Sequence, residues 1–451
     1  MPDAVDTVLE RVRERVTPDA AERTALAEAV EEITDRAERA VADLPVEADV
    51  LHLGSTARDT WLAGDRDIDV FVRFPTDLDR EDLETLGLEV GHAVLPDGTE
   101  EYAEHPYVVG TVDGFQVDLV PCYAVADPQA IRSAVDRTPF HNDYLAARLD
   151  ADNVGDIRVA KQFLTGVGAY GSNLRTRGFS GFLVELLVLE HGTVRALLEA
   201  AADWHPPVRF DPAGHSETTF EDPLVVVDPT DPERNVAAVC SESNVARLQH
   251  YARDLLADPD VSTFESTRPD PLDVEALSAI IERRTITPVA LRFEAPDVVE
   301  DQLYPQLEKS IEGVTGALDR QGFDVLRAAA WADEMAVCYA DLAVAERPSV
   351  ERHEGPPVHV RKHAEVFVET YAGDETVAGP FVDGNRYVVE RPREYTTAAA
   401  FLASDALFDV ALGADIERAL ADDYDVLVGT QVTALADEFG AELAAFYDPK
   451  P

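Results

Sequence analysis

Behind Thr17-Pro18, apolar side chains return every three or four positions through "DAAERTALAEAVEEITDRAERAVADL". This spacing predicts a capped amphipathic helix that ends before Pro45. The period then drops to two. "ADVLHLG" reads as a strand running into a Gly-Ser turn, and "DIDVFVRF" (67–74) as a second strand. "YVVGTVDGFQVDLVPCY" (107–123) reads as a hairpin about Asp113-Gly114, with its second strand at 115–120. Thr138-Pro139 marks a joint, after which 143–202 is mainly helical. A Pro-rich loop (203–223), a strand "LVVVDP", a helix near 241–257 and a linker over 258–273 follow. Beyond the linker the order is strand "TPVALRFE", helix 297–320, then strands "FDVLRAAAWA" and "EMAVCYADLAV". That order predicts an RNA-recognition-like or ferredoxin-like split β-α-β unit. The expected fold class is therefore α+β and multidomain. Its expected parts are an α/β unit over 1–138, a mainly helical unit over 139–273, and an α+β body with a tail over 274–451.

Composition changes what these domains can face. Of 451 residues, 88 are acidic and 38 basic, a net charge of −50, while 46% are apolar. The apolar fraction excludes a disordered acidic chain. Only Lys161, Lys309, Lys362 and Lys450 are lysines. Abundant Asp, Glu and Arg with almost no Lys is the balance of proteins that stay soluble in molar salt, where the Debye length is about 3 Å. On that reading the acidity reports the solvent, and a nucleic-acid partner stays open. No apolar stretch predicts a membrane span, and the N-terminus has no apolar leader segment. Cys122, Cys240 and Cys338 lie far apart. They predict a reducing, cytoplasmic setting with no disulfide framework.

Candidate chemistry centres on Asp67-Ile68-Asp69. Residues two apart on a strand face the same way, so both carboxylates share a face and Ile68 and Val70 face the core. Two close carboxylates repel unless a cation lies between them, and Mg²⁺ suits such ligands. A lone D-x-D is weak, because acidic pairs are common in this chain. Gly54-Ser55 follows an apolar strand and lets backbone N–H groups approach a phosphate. Arg58 is expected on the same helical face. Asp118 interrupts Val117 and Leu119 on the hairpin's second strand. A charge there needs a partner, and a neighbouring strand bearing Asp67 and Asp69 supplies one. Residues 157–184 hold Arg158, Lys161, Arg175 and Arg177 and no acid, although about one residue in five is acidic overall. A buried helix pair explains the missing acids, whereas a phosphate-binding surface also explains the cations.

These residues carry a resemblance. L-G-S followed by D-I-D-V and a later strand aspartate resembles the polymerase-β nucleotidyltransferase signature. "GSTARDTWLAGDRDIDVFVRFP" is similar, more narrowly, to archaeal class I CCA-adding enzymes. "RTPFHNDYL", "RVAKQFLTGVGAYGSNLRTRGFSGFLVELLV" and "DPTDPERNVAAVCS" resemble that family's central region. "GPPVHVRKHAEVFVETY" and "RYVVERPREYT" resemble its C-terminal region. The resemblance implies a polymerase-β-like palm, a helical neck, and a C-terminal body and tail that bind tRNA. The implied reaction is template-independent addition of CMP and AMP from CTP and ATP to a tRNA 3′-hydroxyl. Asp67, Asp69 and Asp118 would be the catalytic metal ligands for two Mg²⁺ ions. Gly54, Ser55, Arg58, His141, Lys161, Tyr170 and Arg234 would hold the nucleotide. Asp59 departs from the family's usual small residue, so its charge must point away from the phosphates. The implied partner is tRNA, through acceptor stem, T arm and 3′ end, gripped partly by Arg283, Arg284, Arg292, Arg361, Lys362, Arg386, Arg391 and Arg393. No membrane partner is expected, and a homodimer is left open. A poly(A) polymerase or oligoadenylate synthetase would use the same three aspartates, and a non-catalytic RNA-binding protein could retain the fold.

Overall fold

A computed structural model describes residues 3–102, 104–266 and 269–451. The chain divides into two compact units, residues 1–267 with Pro451 and residues 268–450.

The first unit opens with two helices, α1 (Ala4–Val16) and α2 (Ala20–Ala42). Asp19 caps α2, and Glu22 returns the bond in a capping box, so two end donors are satisfied at once. Then come strand β1 (Asp49–Leu53), a single helical turn α3 (Gly54–Ala57), β2 (Asp67–Phe74), α4 (Arg80–Val94), β3 (Thr99–Tyr102), β4 (Pro106–Val112) and β5 (Phe115–Tyr123). Asp113 and Gly114, with φ of 49° and 81°, turn the expected hairpin. The sheet order is β1-β2-β5-β4-β3. β2 and β5 run parallel at its centre, with Asp69 paired to Asp118. Ile68, Val70, Val72, Val117 and Leu119 point to one face and pack with Leu26, Ile33, Leu83 and Val90 of α2 and α4. The period of two therefore sends Asp67, Asp69 and Asp118 to the opposite face.

The helical part follows as α5 (Thr138–Ala146), α6 (Ala151–Gly166), α7 (Gly181–His191) and α8 (Val194–Ala202). It continues through β6 (Val208–Phe210), β7 (Leu224–Asp228), β8 (Asp231–Asn235) and α9 (Glu242–Ala257). β6 and β8 flank the expected strand and were not foreseen. α1 belongs to this part by packing, since Val5, Val8, Leu9, Val12 and Val16 join the core of α6 to α9. The linker read over 258–273 lies partly outside the described residues. Within them, Phe264 is buried in the same helical core.

In the second unit, α10 (Val274–Arg284) precedes β9 (Thr287–Glu294), α11 (Glu300–Gln321), β10 (Val325–Ala332) and β11 (Met335–Leu342). An excursion of β12 (Val350–Pro357), α12 (Arg361–Tyr371), β13 (Ala378–Asp383) and β14 (Arg386–Pro392) forms its own small sheet. The chain closes with α13 (Ala398–Leu402), α14 (Ala414–Asp422), β15 (Asp425–Val428) and α15 (Ala436–Tyr447). β15 adds beside β9, giving the antiparallel order β10-β11-β9-β15. This is the split β-α-β arrangement that the alternating strands predicted. Arg292 pairs with Glu438 and Asp425, Arg391 with Glu351, and Arg284 approaches Asp341 at 3.6 Å. Those three arginines are thus tied to acids of their own unit.

Candidate active site

Parallel pairing of β2 with β5 makes Asp69 and Asp118 direct neighbours, with Asp67 two residues back on the same face. Burial raises the Asp69 carboxyl, and the charges of Asp118 and Asp67 push it further, to about 6. Asp118 is raised by burial, then by Glu101 and Asp67, although Gln116 donates to it at 3.3 Å. The cluster thus holds more negative charge than its surroundings balance, which a divalent cation would relieve. Among the described residues, no three His, Cys, Asp or Glu side chains are gathered into a ready-made metal cage.

Gly54 bounds this cluster. Its φ is +77°, and a Cβ there would stand 1.8 Å from Asp69 Oδ2. The glycine thus serves both the left-handed backbone and the space the carboxylate occupies. Gly54→Ala should cut single-turnover nucleotide addition by about 100-fold through displacement of Asp69. A rate within threefold of the parent would show that the carboxylate tolerates the shift.

Ser55 lies beside Gly54 in α3, which lasts one turn. Arg58 is its C-cap residue, so the expected shared helical face with Ser55 does not form. The Arg58 guanidinium instead spans to Glu185 of α7, at 2.9 and 3.2 Å, and to Asn142 at 3.2 Å. Its buried Nε has no hydrogen-bond partner. Glu185 is fully buried and also takes the Thr60 hydroxyl and the Lys161 ammonium, the latter at 3.5 Å. Lys161 donates to Thr60 O at 2.9 Å, and burial pushes its ammonium down while Glu185 opposes that. A Cβ on Gly181 would meet Tyr170 Oη at 3.1 Å and Lys161 Nζ at 3.7 Å, so these two polar ends converge there. Glu185→Ala leaves two cations without their buried counter-charge and should cost roughly 3–5 kcal/mol in urea unfolding at molar KCl. A loss below about 1 kcal/mol would mean that water reaches the pair.

The reading of 157–184 as a phosphate surface is corrected for Arg158 and Lys161, which are 3% and 2% exposed. From Ile157 to Leu164, after its two acids Asp152 and Asp156, α6 is buried almost all round, which accounts for the lack of acids there. Its long cations cross to the segment after α3 and satisfy backbone carbonyls there. Arg158 takes Trp61 O and Asp59 O, as Lys161 takes Thr60 O. Asp59 has φ +58° and pairs with Arg23 and Arg158, so its charge is spent away from Arg58.

His141 and Arg234, 93 positions apart, meet on one carboxylate. His141 Nε2 lies 2.8 Å and Arg234 Nη1 2.7 Å from Asp228 Oδ2. The His141 ring stacks on Phe182 of α7, with centroids 4.0 Å apart. Burial alone would raise Asp228, but hydrogen bonds from His141 and Thr230 outweigh it and hold the carboxyl well below its usual range. The sequence reading passed over Glu185 and Asp228. Both carry the signal that singled out Asp118, a charge set in an apolar run.

Three family models match in order along the chain. They are a nucleotidyltransferase domain over 34–141, the second domain of tRNA nucleotidyltransferase over 155–265, and the C-terminal domain of CCA-adding enzymes over 284–429. CCA-adding enzymes of Haloarcula marismortui and Halobacterium salinarum are 59% and 61% identical, each matched over 100% of both chains. A solved structure of the Cid1 poly(U) polymerase overlays 58% of this chain and 98% of its own, at 15% identity and a TM-score of 0.43. A nucleotidyltransferase domain implies use of a nucleoside triphosphate with a divalent metal. Matched from end to end by such relatives, the chain belongs to the CCA-adding enzyme family.

Proposed function

We propose that this protein builds and repairs the 3′-terminal CCA of tRNA, joining CMP and AMP from CTP and ATP to the 3′-hydroxyl and releasing pyrophosphate. The observation that carries the reading is the match to CCA-adding enzymes over the entire chain, C-terminal unit included. In the reaction, the 3′-oxygen bonds to the α-phosphorus, the bond to pyrophosphate breaks, and the hydroxyl proton leaves.

Asp67 and Asp69 would hold Mg²⁺, with Asp118 completing the ligand set. When bound there, two such ions lower the pKa of the 3′-hydroxyl and neutralise the leaving pyrophosphate. Asp118 orients that hydroxyl or receives its proton. Ser55 and Arg58, close to Gly54 in sequence, hold the triphosphate. Tyr170 completes the phosphate side near Gly181, with Lys161 behind it holding Thr60 and Glu185 in place. His141 and Arg234 serve the base, where a wrong edge leaves polar groups unpaired and is rejected on that account. The second unit's partner is tRNA, read by the shape and phosphates of an A-form stem.

The test uses the protein in molar KCl with Mg²⁺, labelled CTP or ATP, and tRNA lacking one, two or three terminal nucleotides. The expected products stop at CCA. A growing run of A on tRNA ending in CCA would mark a poly(A) polymerase, and no incorporation would leave an RNA-binding role.

A further inference from the structure

We propose that Asp228 is a positioning residue for base choice, the shared anchor that aims Arg234 and His141. This deepens the reading above and rests on it, because it takes those two side chains as facing the nucleotide base.

Asp228 ends β7, every residue of which is buried, and is itself 0% exposed. A carboxylate offers about four lone-pair sites. Here four donors use them, two on each oxygen. Oδ1 accepts from Thr230 N at 2.8 Å and Thr230 Oγ1 at 2.7 Å. Oδ2 accepts from His141 Nε2 at 2.8 Å and Arg234 Nη1 at 2.7 Å. One oxygen is thus tied to its own turn, which fixes the plane of the carboxylate. The other holds side chains from α5 and β8 at a common point.

The guanidinium is planar, with five N–H donors in a fixed fork. Arg234 is bound to Asp228 through Nη1, and its side chain remains 37% exposed. Holding one corner sets the direction of the remaining donors. His141 is fixed twice, by Asp228 at one ring nitrogen and by the Phe182 ring at its face. Such locking matters most for discrimination. Loss of aim leaves a base bound but stops the site from penalising a wrong edge.

The experiment compares kcat/KM for CTP, ATP, UTP and GTP on tRNA acceptors, in molar KCl, for parent, Asp228→Asn, Thr230→Val, Arg234→Ala and the Asp228→Asn/Arg234→Ala pair. Melting is followed in the same buffer. The parent must first add C and A with preference over U and G. Failure there would sink the CCA-adding reading itself, before the role of Asp228 is examined.

Asp228→Asn is expected to lower the CTP-over-UTP preference at least tenfold, mainly through better use of UTP. Thr230→Val, which removes one of the four bonds, should lower it two- to threefold. The double variant should discriminate no worse than Arg234→Ala alone, because Asp228 acts through that arginine. Two results overturn the proposal. One is a preference unchanged in Asp228→Asn, or in Thr230→Val if the first variant does not fold. The other is an equal fall in kcat/KM for all four triphosphates, the mark of a merely structural role.

Discussion

Asp69→Asn should reduce nucleotide addition by at least about a thousandfold while the fold survives. The substitution removes a charge from the centre of the carboxylate cluster, and a neutral amide is a poor ligand for a hard divalent ion. The same change should affect stability in the opposite direction. The Asp69 carboxyl sits at about 6 in the folded chain, above its ordinary 3.8, through burial and through its acidic neighbours. A raised carboxyl favours the folded state at low pH and loses that advantage as pH climbs through about 6. At pH 7 without divalent metal, Asp69→Asn should therefore melt no lower than the parent, and above it if no new contact is lost. Adding Mg²⁺ should raise the parent's melting temperature and leave the variant's nearly unmoved. Near-normal turnover of the variant would remove Asp69 from the metal site, and a collapsed fold would make its role structural.

The second large effect is set by salt. A charge of −50 on 451 residues repels itself and repels tRNA. Cooperative folding, followed by circular dichroism, should therefore be lost as KCl falls well below molar, and activity should peak at roughly molar KCl, where the Debye length is about 3 Å. Counterion release on RNA binding works the other way and weakens affinity as salt rises. Screening acts most strongly on the longer-range repulsion, so the optimum lies where that repulsion is gone and short phosphate contacts remain. A stable fold and full activity at about 0.05 M salt, declining steadily above it, would sink this account. The haloarchaeal relatives, 59% and 61% identical, point the same way as the composition.

Much of this was legible in the sequence where the period was clean. β2, β5, β9 and β11 alternate or run apolar between turn residues, and they form where those patterns predict. The pairing of Asp69 with Asp118 was legible because a lone charge on a strand demands a reason. Other features were not. Alternation cannot tell a cation that binds phosphate from one that crosses to a neighbouring loop, so Arg158 and Lys161 read as surface. α3 carries apolar Ala57 before Arg58, and nothing there shows that it stops after one turn. The partners of Arg58 and Arg234 lie 127 and 6 positions away, at Glu185 and Asp228. Only folding shows that these acids are anchors. α1 gave no sign of where its apolar stripe would dock, because its partners lie beyond residue 140.

That last placement has a consequence for how the chain is made. Arg13 of α1 bonds to Asp156, 143 residues further on, and Arg195 reaches back to Asp3 and Asp6 at 2.7 and 2.6 Å. Topologically, the β1–β5 sheet is an insertion in a helical part whose helix α1 is synthesised before it. At roughly 5–20 residues per second, α1 waits roughly 7–30 s for Asp156 to be translated and longer still for α8 and α9. Until then its five apolar side chains have no docking site, while α2 and the sheet can already close around their own core. The nascent chain therefore exposes an amphipathic helix ahead of a finished domain.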